Sequence, residues 1–167
     1  MTEIDVQNRI YANHMQGGTL LVVPCSQVFG WEADIVVVTR AFFTHEFEIK
    51  LSRQDYLSDS KKEKHDHIQR YIKGERKFNK SGKYGDYQWD VLKPANYFWY
   101  ACPKGMVDKT EVPEYAGLVL FDERWRLDVV KKAPRLHRDK LDVKDLIQLC
   151  RSMTHKFWNQ RIKFVED

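Results

Sequence analysis

The residues best suited to chemistry in this chain are Asp34, Glu46, Glu48 and Lys50, within the stretch from Trp31 to Lys64. The segment starting at Trp31 reads as a β-hairpin whose second strand ends in a Glu-x-Lys triplet. Side chains two apart on a strand share a face, so Glu46, Glu48 and Lys50 project together while Phe47 and Ile49 turn to the other side. If the hairpin brings Asp34 alongside, two carboxylates come within reach of one hard divalent cation, and a lysine beside them can hold or activate a water. Hydrolysis of a phosphodiester needs those parts. A plainer reading makes Asp34 a turn cap, with Glu46, Glu48 and Lys50 as the wet face of an edge strand laced by cross-strand ion pairs.

The elements that must position these groups follow from local pattern. Thr2 to Met15 is an amphipathic helix with Ile4, Val6, Ile10 and Tyr11 as its apolar positions, a Thr at its cap and Gly17-Gly18 as its stop. Leu20 to Pro24 is a short apolar strand, and Asp34 to Thr39 with Thr44 to Lys50 form the hairpin, whose run Ile35 to Val38 suits a buried strand. Ser52 caps a polar helical segment from Arg53 to Tyr71, and a basic, aromatic-bearing insertion fills residues 74–93. Tyr97 to Cys102 and Ala116 to Phe121 look like buried strands, Leu127 to Val130 like a further one, and a C-terminal helix is expected near residues 141–160. The pattern predicts an α/β fold, a mixed central sheet flanked by helices, in a single domain over residues 1–167.

Asp34, a turn, and then Glu48-Ile49-Lys50 resemble the core of the PD-(D/E)xK nuclease superfamily, which includes restriction endonucleases, phage exonucleases and Holliday-junction resolvases. Ala33 stands where that family carries its proline. The resemblance implies a restriction-endonuclease-like α-β-β-β-α-β core. It also implies Asp34 and Glu48 as ligands of Mg2+ (or Mn2+), with the Ile49 carbonyl completing the shell and Glu3 as the acid on the preceding helix. Lys50 would orient the attacking water. On the same grounds the chain is expected to be a metal-dependent nuclease acting on DNA, in repair, recombination or the processing of phage and mobile-element DNA. A homodimer is the assembly the resemblance suggests, since cutting two strands takes two sites. The alternative is a catalytically inactive nucleic-acid-binding module with the same fold.

Charge supports a nucleic-acid partner. The formal net charge is +4, but residues 61–83 hold nine Lys or Arg against three Asp or Glu, and residues 131–140 hold five against one. Local positive fields of that kind attract phosphate. Lys61, Lys62, Lys64 and Gln69 on the expected helix, Arg76, Lys77, Lys80 and Lys83 in the insertion, and Lys131, Lys132 and Arg135 beyond it are the candidate contacts. In the insertion Phe78, Tyr84, Tyr87 and Trp89 interleave with the basic residues and could stack on unpaired bases. Solvated helix faces and loops are the competing readings for all of these segments. His65-x-His67 reads as charged surface, because helix positions two apart do not face together.

Cys25, Cys102 and Cys150 are far apart and form no Cys-x-x-Cys pair, which points away from a disulfide framework or a zinc knuckle. No apolar run reaches membrane-spanning length, and the N-terminus is acidic and polar, so no membrane partner and a cytoplasmic location are expected. A Gly-rich phosphate loop and a Ser-centred elbow are both missing, which argues against ATP-driven and serine-hydrolase chemistry.

Overall fold

The β-branched run of the hairpin forms the second strand of a six-stranded sheet. The structure is a computed structural model that describes residues 2–14, 17–75, 93–124 and 126–163. The chain runs α1 (Glu3–His14), β1 (Thr19–Ser26), β2 (Ala33–Thr39), β3 (Thr44–Ile49), α2 (Arg53–Asp59) and α3 (Glu63–Ile72), then β4 (Tyr97–Pro103), β5 (Ala116–Phe121), β6 (Leu127–Lys131) and α4 (Val143–Lys163). Strands lie side by side in chain order. β2 runs antiparallel to both of its neighbours, β1 and β3, while β3, β4 and β5 run parallel, and β6 turns back. The fold is therefore α/β, with a mixed sheet flanked by helices. Parallel neighbours cannot be joined by a tight turn, and the crossover from β3 to β4 carries α2 and α3.

Local chemistry sets the helix ends. The backbone N–H of Asp5 donates to Thr2 Oγ1 at 3.3 Å while the Thr2 N–H donates to Asp5 Oδ2 at 2.7 Å, a reciprocal cap on α1. Ser52 Oγ caps α2 by accepting from the Asp55 N–H at 3.2 Å. The single helix expected from Arg53 to Tyr71 is broken into α2 and α3. Tight turns end α2, with the Lys61 N–H on the Ser58 carbonyl and the Lys62 N–H on the Asp59 carbonyl. Ser58 to Lys64 offers no apolar side chain to carry a stripe through, and the break lets Lys62 fold back to 2.8 Å from Asp59. The other boundaries shift by a few residues: β1 is longer than Leu20 to Pro24, and the C-terminal helix is Val143–Lys163 rather than 141–160.

Strand alternation builds a core layer on each side of the sheet. Val6 and Ile10 of α1 pack with Ile35, Val37, Phe47, Ile49, Ala101 and Phe121 on one side. On the other, Tyr56 of α2, Ile68 of α3 and Leu149 of α4 pack with Val36, Val38, Phe98, Tyr100 and Leu118. β3 breaks this second layer, because Thr44, Glu46 and Glu48 face it and are buried there as polar groups. Among the described residues, no helix is long and apolar enough to cross a membrane.

Candidate active site

The hairpin register brings the two motif acids together. Ile35 pairs with Phe47 and Val36 with Glu46, so one step further out Asp34 stands opposite Glu48. Directly opposed residues share a face of the sheet. Asp34 Oδ2 accepts the Ile49 N–H at 2.7 Å, which ties the acid to the residue between Glu48 and Lys50. The N–H and C=O of one strand residue point the same way, so the Ile49 carbonyl also faces β2. Burial, and then the neighbouring Glu48 charge, push the Asp34 carboxyl up to about 7, against the smaller pull of the Ile49 hydrogen bond. Among the described residues no ammonium or guanidinium forms an ion pair with Asp34.

Glu48 is placed differently. Its Oε1 accepts from Lys50 Nζ at 2.7 Å and Lys62 Nζ at 3.0 Å, and its Oε2 accepts from Lys64 Nζ. Lys50 and Lys64 are buried, while the Lys62 side chain is 51% exposed. Asp59, at the end of α2 and 0% exposed, completes the cluster. Its Oδ1 lies 3.1 Å from Lys50 Nζ and 2.8 Å from Lys62 Nζ. Its Oδ2 lies 2.7 Å from His65 Nε2 and accepts the Tyr100 hydroxyl at 3.0 Å. Behind it, the Tyr115 hydroxyl is 2.8 Å from His65 Nδ1. Burial would raise the Asp59 carboxyl, but the His65 bond, the Lys64 charge and Lys62 hold it well below the usual carboxylate range. Burial likewise works against the Lys50 ammonium, and Glu48 with Asp59 outweigh it, so Lys50 titrates above an ordinary lysine.

Glu46 sits one pleat further along β3, fully buried, with its Oε1 accepting Trp31 Nε1–H at 2.8 Å. Its Oε2 has no hydrogen-bond partner among the described residues. Burial pushes this carboxyl up to about 7 despite the Lys64 charge and the indole bond. Glu3 is exposed at the start of α1 and reaches the site through Gln7, whose Nε2 donates to Glu3 Oε1 at 2.9 Å and to the Asp34 carbonyl at 3.2 Å. The Glu3 charge also contributes to raising Asp34.

Several expectations need correction. Glu46, Glu48 and Lys50 are not the wet face of an edge strand: β3 is an interior strand, and α2 and α3 cover that face with matching charges. His65 and His67 are not charged surface either. Both are buried, His65 on Asp59 and Tyr115, His67 edge-on to the Trp31 ring at 5.4 Å. Lys64 is buried on Glu48 and so is no free phosphate contact. Lys131 spends its ammonium on the carbonyls of Val112 and Pro113, at 2.8 Å each. Lys61, Gln69, Lys132 and Arg135 are exposed, with the Arg135 guanidinium 5.7 Å from the Phe43 ring centre. Arg76, Lys77, Lys80 and Lys83 lie outside the described residues. Sequence reasoning missed Gln7, Trp31, Asp59, Tyr100 and Tyr115. Gln7 had a legible signal, since Glu3 and Gln7 stand four apart on one helix face.

Among the described residues no three His, Cys, Asp or Glu side chains gather closely enough to hold a metal ion. The donors on offer are the opposed pair Asp34 and Glu48 with the Ile49 carbonyl. Mg2+ is commonly held by one or two carboxylates, with water and substrate phosphate filling its octahedron; Asp34 and Glu48 supply two, and a cation there would share the Glu48 oxygens with Lys50, Lys62 and Lys64.

No protein family and no curated protein sequence matches the chain. A solved structure of a protein of unknown function from Silicibacter pomeroyi is similar in fold, with a TM-score of 0.58 at 15% sequence identity, over 100% of this chain and 93% of that one.

Proposed function

We propose that this protein is a divalent-metal-dependent nuclease of the PD-(D/E)xK type that hydrolyses DNA phosphodiesters. The observation that carries this reading is the pair Asp34 and Glu48, opposed across the hairpin, with Lys50 Nζ 2.7 Å from Glu48. Bound there, Mg2+ would polarise the scissile phosphate and lower the pKa of a water. Asp34 and Glu48 would hold the ion, with the Ile49 carbonyl facing it. Lys50, kept protonated by its two carboxylates, would steady the attacking water and the negative charge on the phosphoryl oxygens. Lys62, the half-exposed ammonium at the mouth of the cluster, is suited to meet the phosphate backbone.

One observation favours the alternative of an inactive nucleic-acid-binding module: both Glu48 oxygens are engaged by lysines. The two readings separate in one experiment. The purified protein, with its Asp34→Ala and Lys50→Ala variants, is incubated with plasmid, linear duplex, single-stranded DNA and a four-way junction in Mg2+ or Mn2+. A nuclease cleaves at least one of these substrates, and both variants lose the activity while Lys50→Ala still binds DNA. Binding without cleavage in either metal would establish the inactive module, and cleavage at the wild-type rate by Lys50→Ala would sink the assignment.

A further inference from the structure

Asp59 is a carboxylate of the cluster with no exposed surface, and the Asp, Glu and Lys of the motif do not call for it. We infer that Asp59 is the positioning residue for Lys50, and that His65 and Tyr115 aim Asp59 in turn; this rests on the nuclease reading of the same site. Lys50 Nζ sits between Glu48 Oε1 at 2.7 Å and Asp59 Oδ1 at 3.1 Å, with Asp55, half exposed, further off at 3.6 Å. A cation held by Glu48 competes with the ammonium for the same oxygens. Asp59 belongs to α2, is not part of that donor set, and keeps its hold on Lys50 when Glu48 is shared.

The division of labour between the Asp59 oxygens supports this role. Oδ2 takes His65 Nε2 and the Tyr100 hydroxyl, which leaves Oδ1 turned to Lys50 and Lys62. The Asp59 carboxylate can only accept, so His65 donates to it from Nε2, and Nδ1 is the ring position left to meet the Tyr115 hydroxyl. A carboxylate with no exposed surface is costly to bury and is retained only when its partners are in place. Here those partners come from the end of β3, the turn between α2 and α3, α3 itself and β4, with Tyr115 before β5 behind them, so the packing of the whole crossover is used to hold one ammonium in place.

The test compares Asp59→Asn, Asp59→Glu and Tyr115→Phe with wild type by two readouts. The first is steady-state cleavage of whichever DNA the wild type cuts. The second needs no metal and no activity: the ε-methylene protons of Lys50 in 13C-lysine-labelled protein, assigned with Lys50→Arg, give two separate signals when the side chain is held and one averaged signal when it is not. Asp59→Asn should lower kcat by about 100-fold with KM within about twofold and merge the two signals. Asp59→Glu should restore part of kcat, and Tyr115→Phe, which removes one hydroxyl, should lower kcat by about threefold to tenfold. A folded Asp59→Asn with wild-type kcat and two resolved signals overturns the inference while leaving the nuclease reading intact. If Asp59→Asn does not fold, an unchanged kcat and unchanged signals in Tyr115→Phe overturn it instead. A wild type that never cleaves, but whose Lys50 signals merge in Asp59→Asn, retires the nuclease reading and keeps Asp59 as the residue that holds Lys50.

Discussion

The two faces of β3 are both buried, and they are buried by opposite means. Phe47 and Ile49 meet the apolar layer under α1 at 3% and 4% exposure. Glu46, Glu48 and Lys50 meet α2 and α3 at 0%, 2% and 3%. On the first face burial itself stabilises, by about 1.5–3 kcal/mol for a side chain such as Phe or Ile. On the second, desolvation costs several kcal/mol per ion, and only good partner geometry offsets it. The lesson is that a strand face can be closed to water by charge when the covering elements bring the counter-charges. Asp59, Lys62 and Lys64 are those counter-charges, and such a face adds little net stability.

The sharpest way to break this contrast is a pair of truncations. Phe47→Ala and Glu48→Ala should each cost about 3–5 kcal/mol in urea unfolding, the first by leaving a cavity and the second by orphaning buried ammoniums. Adding Lys64→Met should recover part of the Glu48→Ala loss, because it removes an orphaned cation, and should only deepen the loss in Phe47→Ala. Equal behaviour of Lys64→Met in both backgrounds would show that the two faces are held alike.

A pH series separates the faces next. Asp34 and Glu46 titrate near 7 in the folded protein because burial raises them, whereas in the unfolded chain they ionise in the ordinary carboxylate range. Between those limits the folded state binds more protons than the unfolded one. Metal-free stability should therefore fall as pH rises from about 4 to about 7 and level off above. Glu46→Gln should flatten part of that slope and Phe47→Ala should leave it unchanged, as followed by urea unfolding at each pH.

Trp31→Phe tests a single bond of the charged face. It keeps an aromatic ring but removes the N–H donated to Glu46 at 2.8 Å and part of the buried indole, and should cost about 1–2 kcal/mol in the same unfolding assay. The smallest effect is expected outside both faces. Lys104 and Asp128 form an exposed pair at 3.9 Å, and Lys104→Ala should change stability by less than about 0.5 kcal/mol.

Much of the frame was legible in the residues themselves. The run Ile35 to Val38 and the Glu-x-Lys triplet announced the hairpin, and Thr2 and Ser52 announced two helix starts. Tyr97 to Cys102 and Ala116 to Phe121 read as buried strands and are β4 and β5. The break between α2 and α3 was not legible, because a polar stretch such as Ser58 to Lys64 reads the same on a solvated helix and in a turn. His65 and Lys64 were misplaced on the surface for a related reason: in a sequence, a buried charge looks like any other charge.

The sequence by itself determined the local half of the site. An antiparallel hairpin with a short turn from Arg40 to Phe43 allows few registers, and period-two alternation then sets Asp34, Glu48 and Lys50 on one side with Phe47 and Ile49 on the other. Only the tertiary structure decided which side stayed wet and what met it. β3 and β4 are parallel, so they need a crossover, and the packing of that crossover brings Asp59, Lys62, Lys64 and His65 onto Glu48 and Lys50, with Tyr100 and Tyr115 behind them. Contacts between residues so far apart in the chain depend on how whole elements pack, and no periodicity within one element records them.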